Sequence, residues 1–238
     1  MSLLTQCCNS PRLTRAWAGV MLCCITPLAA AAVTFNGNAT LTNDYIWRGA
    51  SQTQGHAAAQ AGLKAALDFG GYAAWSGSSV YFGNQSNART ELDLIAGWSH
   101  NWTERWNSDI NLTRYTYPGS TTPLNWTEWG MTWSWNNTVW LQTANSNHVF
   151  ASPFNGTFAQ LGLRYPLNDR LRFELAGEHY WLPQAYAKDY SDGLASVVYS
   201  FNQTVALRLT GHLSDHAAKQ LYANQARPRL EIALQATF

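Results

Sequence analysis

About twelve times along this chain, a stretch of roughly ten residues alternates apolar with polar side chains, and the connections between stretches are short and long by turns. The last stretch, RLEIALQATF, is the plainest. Leu230, Ile232, Leu234, Ala236 and Phe238 fall on one face of a strand, and Arg229, Glu231, Gln235 and Thr237 fall on the other. Other stretches sort the same way: Leu171, Phe173 and Leu175 oppose Arg172, Glu174 and Glu178, and Trp129, Met131, Trp133 and Trp135 oppose Glu128, Thr132 and Ser134. One wall suits hydrocarbon and the other suits water. Charges keep to the wet wall because on the lipid wall each costs roughly 2–4 kcal/mol at the bilayer midplane. Arg114 is the exception: in phase with Ile110 and Leu112, it is expected to point outward near a rim.

Strands are expected at about 35–48, 57–68, 72–82, 90–101, 106–117, 125–135, 138–147, 156–165, 171–181, 190–201, 203–213 and 227–238, each near the span of a tilted membrane strand. Gly70-Gly71, Asn136-Asn137, PLNDR and Asn202-Gln203 read as tight turns. GASQTQGHA, GNQSNAR, PGSTTPLN, NHVFASPFNG, LPQAYAKD and SDHAAKQLYANQA read as longer polar loops. An even strand number with alternating short turns and long loops predicts an all-β fold, a transmembrane antiparallel up-and-down β-barrel of the outer-membrane type. A soluble sandwich or jelly roll does not demand that rhythm.

Residues 1–32 read as a signal peptide: Arg12 and Arg15 without an acid, an apolar run broken by Pro27, and a closing row of alanines. Residues 33–238 then form a single barrel domain. All four cysteines, Cys7, Cys8, Cys23 and Cys24, fall in the leader, so the processed chain is expected to hold neither disulfide nor thiolate metal site. Taking Arg12 and Arg15 from 15 basic residues leaves 13 against 14 acidic ones, a net charge of −1 with no footprint for nucleic acid. The six histidines are scattered without metal spacing, no phosphate-cradling glycine loop opens a helix, and no cofactor is expected. The tryptophans, twelve in the whole chain, are expected to serve the barrel as interfacial girdles, where an amphipathic ring sits at headgroup level, apart from Trp17 in the leader.

The segment LTNDYIWRGASQTQG, followed by AAAQAGL and ELDLIAGW, resembles the opening of the TorF porin family, small barrels of Gram-negative outer membranes. The matching positions are Leu41, Thr42, Asp44, Tyr45, Arg48, Gly49, Ser51, Gln52, Thr53, Gln60, Glu91, Leu92 and Asp93. The family's glycine after the glutamine is displaced here to Gly62, and the third strand, GGYAAWSGSS, matches more loosely. The resemblance covers the first third of the processed chain and implies a porin-like placement.

Twelve strands at about 4.8 Å spacing and about 40° tilt enclose a backbone radius of roughly 12 Å, suited to a narrow channel for passive diffusion of small polar solutes. Asp44, Arg48, Glu91, Asp93, His212, Arg229 and Glu231 trace to the external half of the lumen, and Arg208 also faces inward. Closure of the first strand on the last is expected to bring Asp44 and Arg48 beside Arg229 and Glu231, as a charged constriction or as an ion network tying the seam. The expected partners are outer-membrane lipid and lipopolysaccharide, small solutes, and the barrel assembly machinery, for which terminal Phe238 would be the signal. Two other functions fit the chain: a non-conducting barrel that binds through its loops, and a lipid hydrolase built on His212 and Ser214. The latter pair resembles the His-x-Ser of the outer-membrane phospholipase but lacks the Asn-Gly-Arg that follows there.

Overall fold

The computed structural model describes residues 32–83 and 86–238; residues 1–31, on which the expected signal peptide and the four cysteines fall, lie outside the described residues. Among the described residues twelve strands form one closed wall: β1 Val33–Thr42, β2 Ala58–Leu67, β3 Gly71–Ser79, β4 Thr90–Asn101, β5 Trp106–Thr116, β6 Trp126–Trp135, β7 Val139–Ser146, β8 Gly156–Pro166, β9 Leu171–Trp181, β10 Tyr190–Ser200, β11 Val205–Ser214 and β12 Arg229–Thr237. Every strand pairs antiparallel with its neighbours in sequence, and β12 returns to β1 with Leu41 opposite Leu234. Closure leaves no edge with unpaired N–H and C=O groups, the condition for crossing hydrocarbon with strands. The five short connections gather at one end (the turn end) and the six long ones at the other (the long-loop end).

The seam is short. β1 and β12 share five residue pairs, Asn38–Thr237 to Thr42–Ala233, whereas β1 and β2 share ten. Both ends of the seam are extended by other means. Toward the long-loop end the Asn43 side chain imitates a backbone unit, accepting from the Ile232 N–H at 2.7 Å and donating to the Leu230 carbonyl at 3.0 Å. Toward the turn end Gly37 and Phe238 exchange both backbone hydrogen bonds, at 2.7 and 3.0 Å, with the Phe238 ring lying where a side chain on residue 37 would stand.

The phase of the alternation is as the sequence implies. Leu63, Leu94, Leu112, Leu161, Leu175 and Ile232 are exposed on the outer wall, while Glu91, Asp93, Glu128, Glu174, Glu178 and His212 are buried within. Arg114 does face outward near the long-loop end of β5, donating to the Thr127 hydroxyl at 3.0 Å. Trp102, Trp106 and Trp135 form part of an aromatic rim at the turn end. The expectation that the tryptophans serve as girdles fails for Trp47 and Trp126, which pack inside the mouth with Tyr115 and Phe150. The reason is phase: Trp126 is in register with Glu128, not with the outward Trp129.

Two further expectations are corrected. The first strand ends at Thr42 rather than at 48, because residues 43–57 leave the wall. The last long connection, expected only as a longer polar loop, carries a helix, α1 His216–Tyr222, whose first turn is capped by the Asp215 carboxylate accepting from the Ala218 N–H at 2.8 Å.

A charge on the outer wall should be costly in lipid. Leu175→Arg, in mid-β9, is expected to lower the unfolding free energy by about 2–4 kcal/mol; urea titration of the protein refolded into phospholipid vesicles measures it.

Candidate functional site

The connection between β1 and β2 does not project from the barrel but folds into it. Ile46–Trp47 pairs with Ala50–Ser51 as a two-stranded hairpin, with Trp47 opposite Ala50. Its turn residues, Arg48 and Gly49, both have positive φ (47° and 75°), as a two-residue hairpin loop of the primed type requires. Gly49 also passes so close to Asp192 on β10 that a Cβ would stand 2.8 Å from it, so glycine is needed here for space as well as for backbone.

Asp44 organises the base of the hairpin. Buried to 3 % exposure, it accepts hydrogen bonds from the Ser51 hydroxyl, from the Thr53 hydroxyl at 2.9 Å and from Arg229 at 2.7 Å. Thr42 donates to the Asp44 carbonyl at 2.8 Å, and the Tyr45 N–H donates to the Thr53 hydroxyl at 3.1 Å. Gln52 binds back through its backbone N–H to the Tyr45 carbonyl and through its side chain to the Ala50 carbonyl. Most of the motif residues therefore serve one local structure, a hairpin stapled at its root. Gln60, on β2, donates to Ser78 on β3 instead and belongs to the wall.

Arg48 carries the hairpin across the lumen. Its guanidinium makes a bidentate ion pair with Glu128 of β6, at 2.7 and 2.8 Å, and donates to the Tyr180 hydroxyl of β9 at 3.1 Å. It lies 4.2 Å from the Trp47 ring centroid and 4.0 Å from that of Phe158 on β8. Tyr190 of β10 donates to the Arg48 carbonyl, and the Ser214 hydroxyl of β11 lies 3.0 Å from the Gly49 carbonyl. Both charged side chains of the Arg48–Glu128 pair are only 6 % exposed. Burial by itself would weaken the Arg48 charge, but the Glu128 carboxylate outweighs it and raises the Arg48 pKa above its ordinary value. Below the hairpin lies a cavity of about 260 Å³ bordered by Arg48, Asn111, Glu128, Gln160 and Glu178; above it lies another of about 210 Å³ walled mostly by aromatic rings.

The charged residues singled out by sequence thus fall into separate groups. Asp44 and Arg229 meet, with Glu231 near Thr42, at the seam as expected. Arg48 does not join them: the hairpin carries it to the opposite wall. His212 sits between Glu231 at 3.4 Å and Asp192 at 3.8 Å. Ser214 is hydrogen-bonded to Asp192 at 2.7 Å and not to His212, so the nucleophile–base contact that hydrolysis needs is not made. Glu91 accepts from the Tyr45 hydroxyl at 3.1 Å and Asp93 from the Ser76 hydroxyl at 2.8 Å; among the described residues neither has a cation beside it. Arg208 lies away from all of these, in the turn-end half, where it and Arg164 and Arg172 surround Glu174 at 2.8–2.9 Å. Asp192 escaped the sequence reading because β10, YSDGLASVVYS, alternates too weakly to fix its phase; its partner Tyr190 on the same face was the available signal.

Residues 27–165 match the family described as "Bacterial protein of unknown function (Gcw_chp)". The chain belongs to that family. No curated protein matches its sequence. Solved structures share the fold: the KdgM porin superposes with a TM-score of 0.56 at 6% identity, covering 87% of this chain and 99% of that one. The same holds for the "KdgM porin in complex with disordered oligogalacturonate". The NanC porin superposes with a TM-score of 0.53 at 10% identity, covering 86% of this chain and 99% of that one. The fold of this Gcw_chp protein is that of outer-membrane porins.

Removing one partner of the buried pair should cost far more than the net worth of the pair. Arg48→Ala and Glu128→Ala are each expected to lower stability by on the order of 3–5 kcal/mol, and the double variant by clearly less than the sum; a double-mutant cycle from urea unfolding measures this.

Proposed function

We propose that this Gcw_chp protein is an outer-membrane channel of the TorF type, passing small polar solutes by passive diffusion through a lumen narrowed by its first loop. The observation that carries this reading is the hairpin: a closed barrel with a charged and polar interior holds, across its mouth, an element anchored to β1 at one side and to β6, β8 and β9 at the other. A loop pinned inside by a buried ion pair sets the width of the remaining path, as a constriction does. Charges line both halves of that path. Glu91, Asp93 and Glu178 lie in the long-loop half beside the paired Arg48, Arg229 and His212, while three arginines, with side chains 22–33 % exposed, surround Glu174 in the turn-end half. The KdgM structure with oligogalacturonate gives an example of this fold with a polar carbohydrate ligand. A leader over residues 1–32, delivery by the barrel assembly machinery through Phe238, and contact with lipopolysaccharide fit the same reading. The missing His212–Ser214 contact speaks against a hydrolase.

Planar-bilayer recordings test the proposal. The full chain without its leader is expected to give small, discrete conductance steps, and Arg48→Ala, which frees the hairpin tip, is expected to enlarge them several-fold. A barrel that carries no current, with Arg48 or without it, overturns the channel reading and leaves a binding barrel.

A further inference from the structure

On the long-loop side of the hairpin the cavity of about 210 Å³ is bordered by Trp47, Tyr115, Tyr117, Trp126 and Tyr222, with the Glu91 carboxylate among them. By the same measure one water needs roughly 10–15 Å³, so the space takes an organic molecule rather than a single solvent. The rings come from separate parts of the chain and brace one another. Tyr115 stacks on Trp126 at 4.5 Å, Trp47 meets both edge-on at 6.2 and 6.1 Å, and Tyr222 meets Tyr190 edge-on at 5.6 Å. The walls are thus a fixed set of π-faces.

The charge of this cavity is of one sign. Glu91 is 3 % exposed and is approached by the Tyr45 and Tyr117 hydroxyls, both neutral donors. Asp93, two residues on along the same face of β4, is 8 % exposed and keeps one carboxylate oxygen buried without any hydrogen-bond partner. Among the described residues no lysine, arginine or histidine borders the cavity, and Arg48, just below, is committed to Glu128. Buried carboxylates ordinarily have a cation or a full set of donors.

We propose that this cavity binds a small organic ammonium ion, its charge set toward Glu91 and its alkyl groups against the rings. Aromatic faces attract alkylated ammonium ions through the ring quadrupole, and the attraction grows where water is excluded. An inorganic cation would lack oxygen ligands, since Glu91 is the one acid bordering the cavity and no group of three or more His, Cys, Asp or Glu side chains placed to hold a metal ion is found among the described residues. An anion would meet Glu91, with Asp93 behind it on the same strand face. The site lies beside the constriction rather than in it, and its occupancy does not require that the barrel conduct.

Calorimetric titration of the detergent-folded chain without its leader, using choline and its uncharged carbon isostere 3,3-dimethyl-1-butanol, tests the proposal. Choline is expected to bind saturably and at least about tenfold more tightly than the isostere. Glu91→Gln, checked for folding by its heat-modifiable migration on gels, is expected to weaken choline about tenfold while leaving the isostere within about twofold. Equal affinity for choline and the isostere, saturable binding of glucose but not choline, no saturable heat from choline, or choline binding unchanged in a folded Glu91→Gln protein would each overturn it. The wild-type comparison decides by itself if the variant does not fold.

Discussion

Hydrocarbon offers no partner to a peptide group, and the architecture follows from that. A strand crossing lipid must find all its hydrogen bonds on its two flanks, so the sheet must close, and closure fixes how much space is enclosed. Here the enclosed wall is twelve strands round, wide enough that inward side chains do not fill it. The first loop supplies the missing volume. Its hairpin occupies the mouth, and aromatic side chains from the wall and from the fourth, fifth and sixth long loops pack around it.

Filling the mouth with aromatic mass creates an electrostatic problem that the Arg48–Glu128 pair answers. A polar tip pushed into a ring-lined space needs a partner that recovers its desolvation, and a guanidinium does this in a way an ammonium would not. It meets Glu128 with two parallel bonds, donates to Tyr180, and lays its flat faces against Trp47 and Phe158. The same economy appears at the turn end, where Glu174 serves three arginines at once, and at the seam, where Asp44 serves two hydroxyls and Arg229. The acids of β4 stand outside this pattern, held by hydroxyls alone.

The barrel was legible in the sequence because its signals are local: a two-residue period inside each strand, and turn residues such as Asn136-Asn137, both of which take positive φ. The root of the site was legible for the same reason. Thr42, Asp44, Ser51 and Thr53 cluster in a few residues because they bond to one another. The destination of the hairpin was not legible. Its contacts reach across 80 residues to Glu128, 132 to Tyr180 and 165 to Ser214, and no periodicity reports a distance of that kind. The tryptophans show a different limit. A ring at a lipid interface and a ring in a lumen contribute equally to composition, and only strand phase separates Trp126 from Trp129.

The placement of the hairpin also constrains how the molecule can come into being. It leaves β1, the first strand made, yet docks on strands that arrive much later, and the narrow finished mouth would resist threading a structured loop through it. Its two-residue turn and the Asp44 staple are short-range, so the hairpin can form early and wait. The later strands then wrap around a finished peg, and the five-pair seam shuts behind it. Docking the peg and zipping the seam become a single late, cooperative event of high contact order.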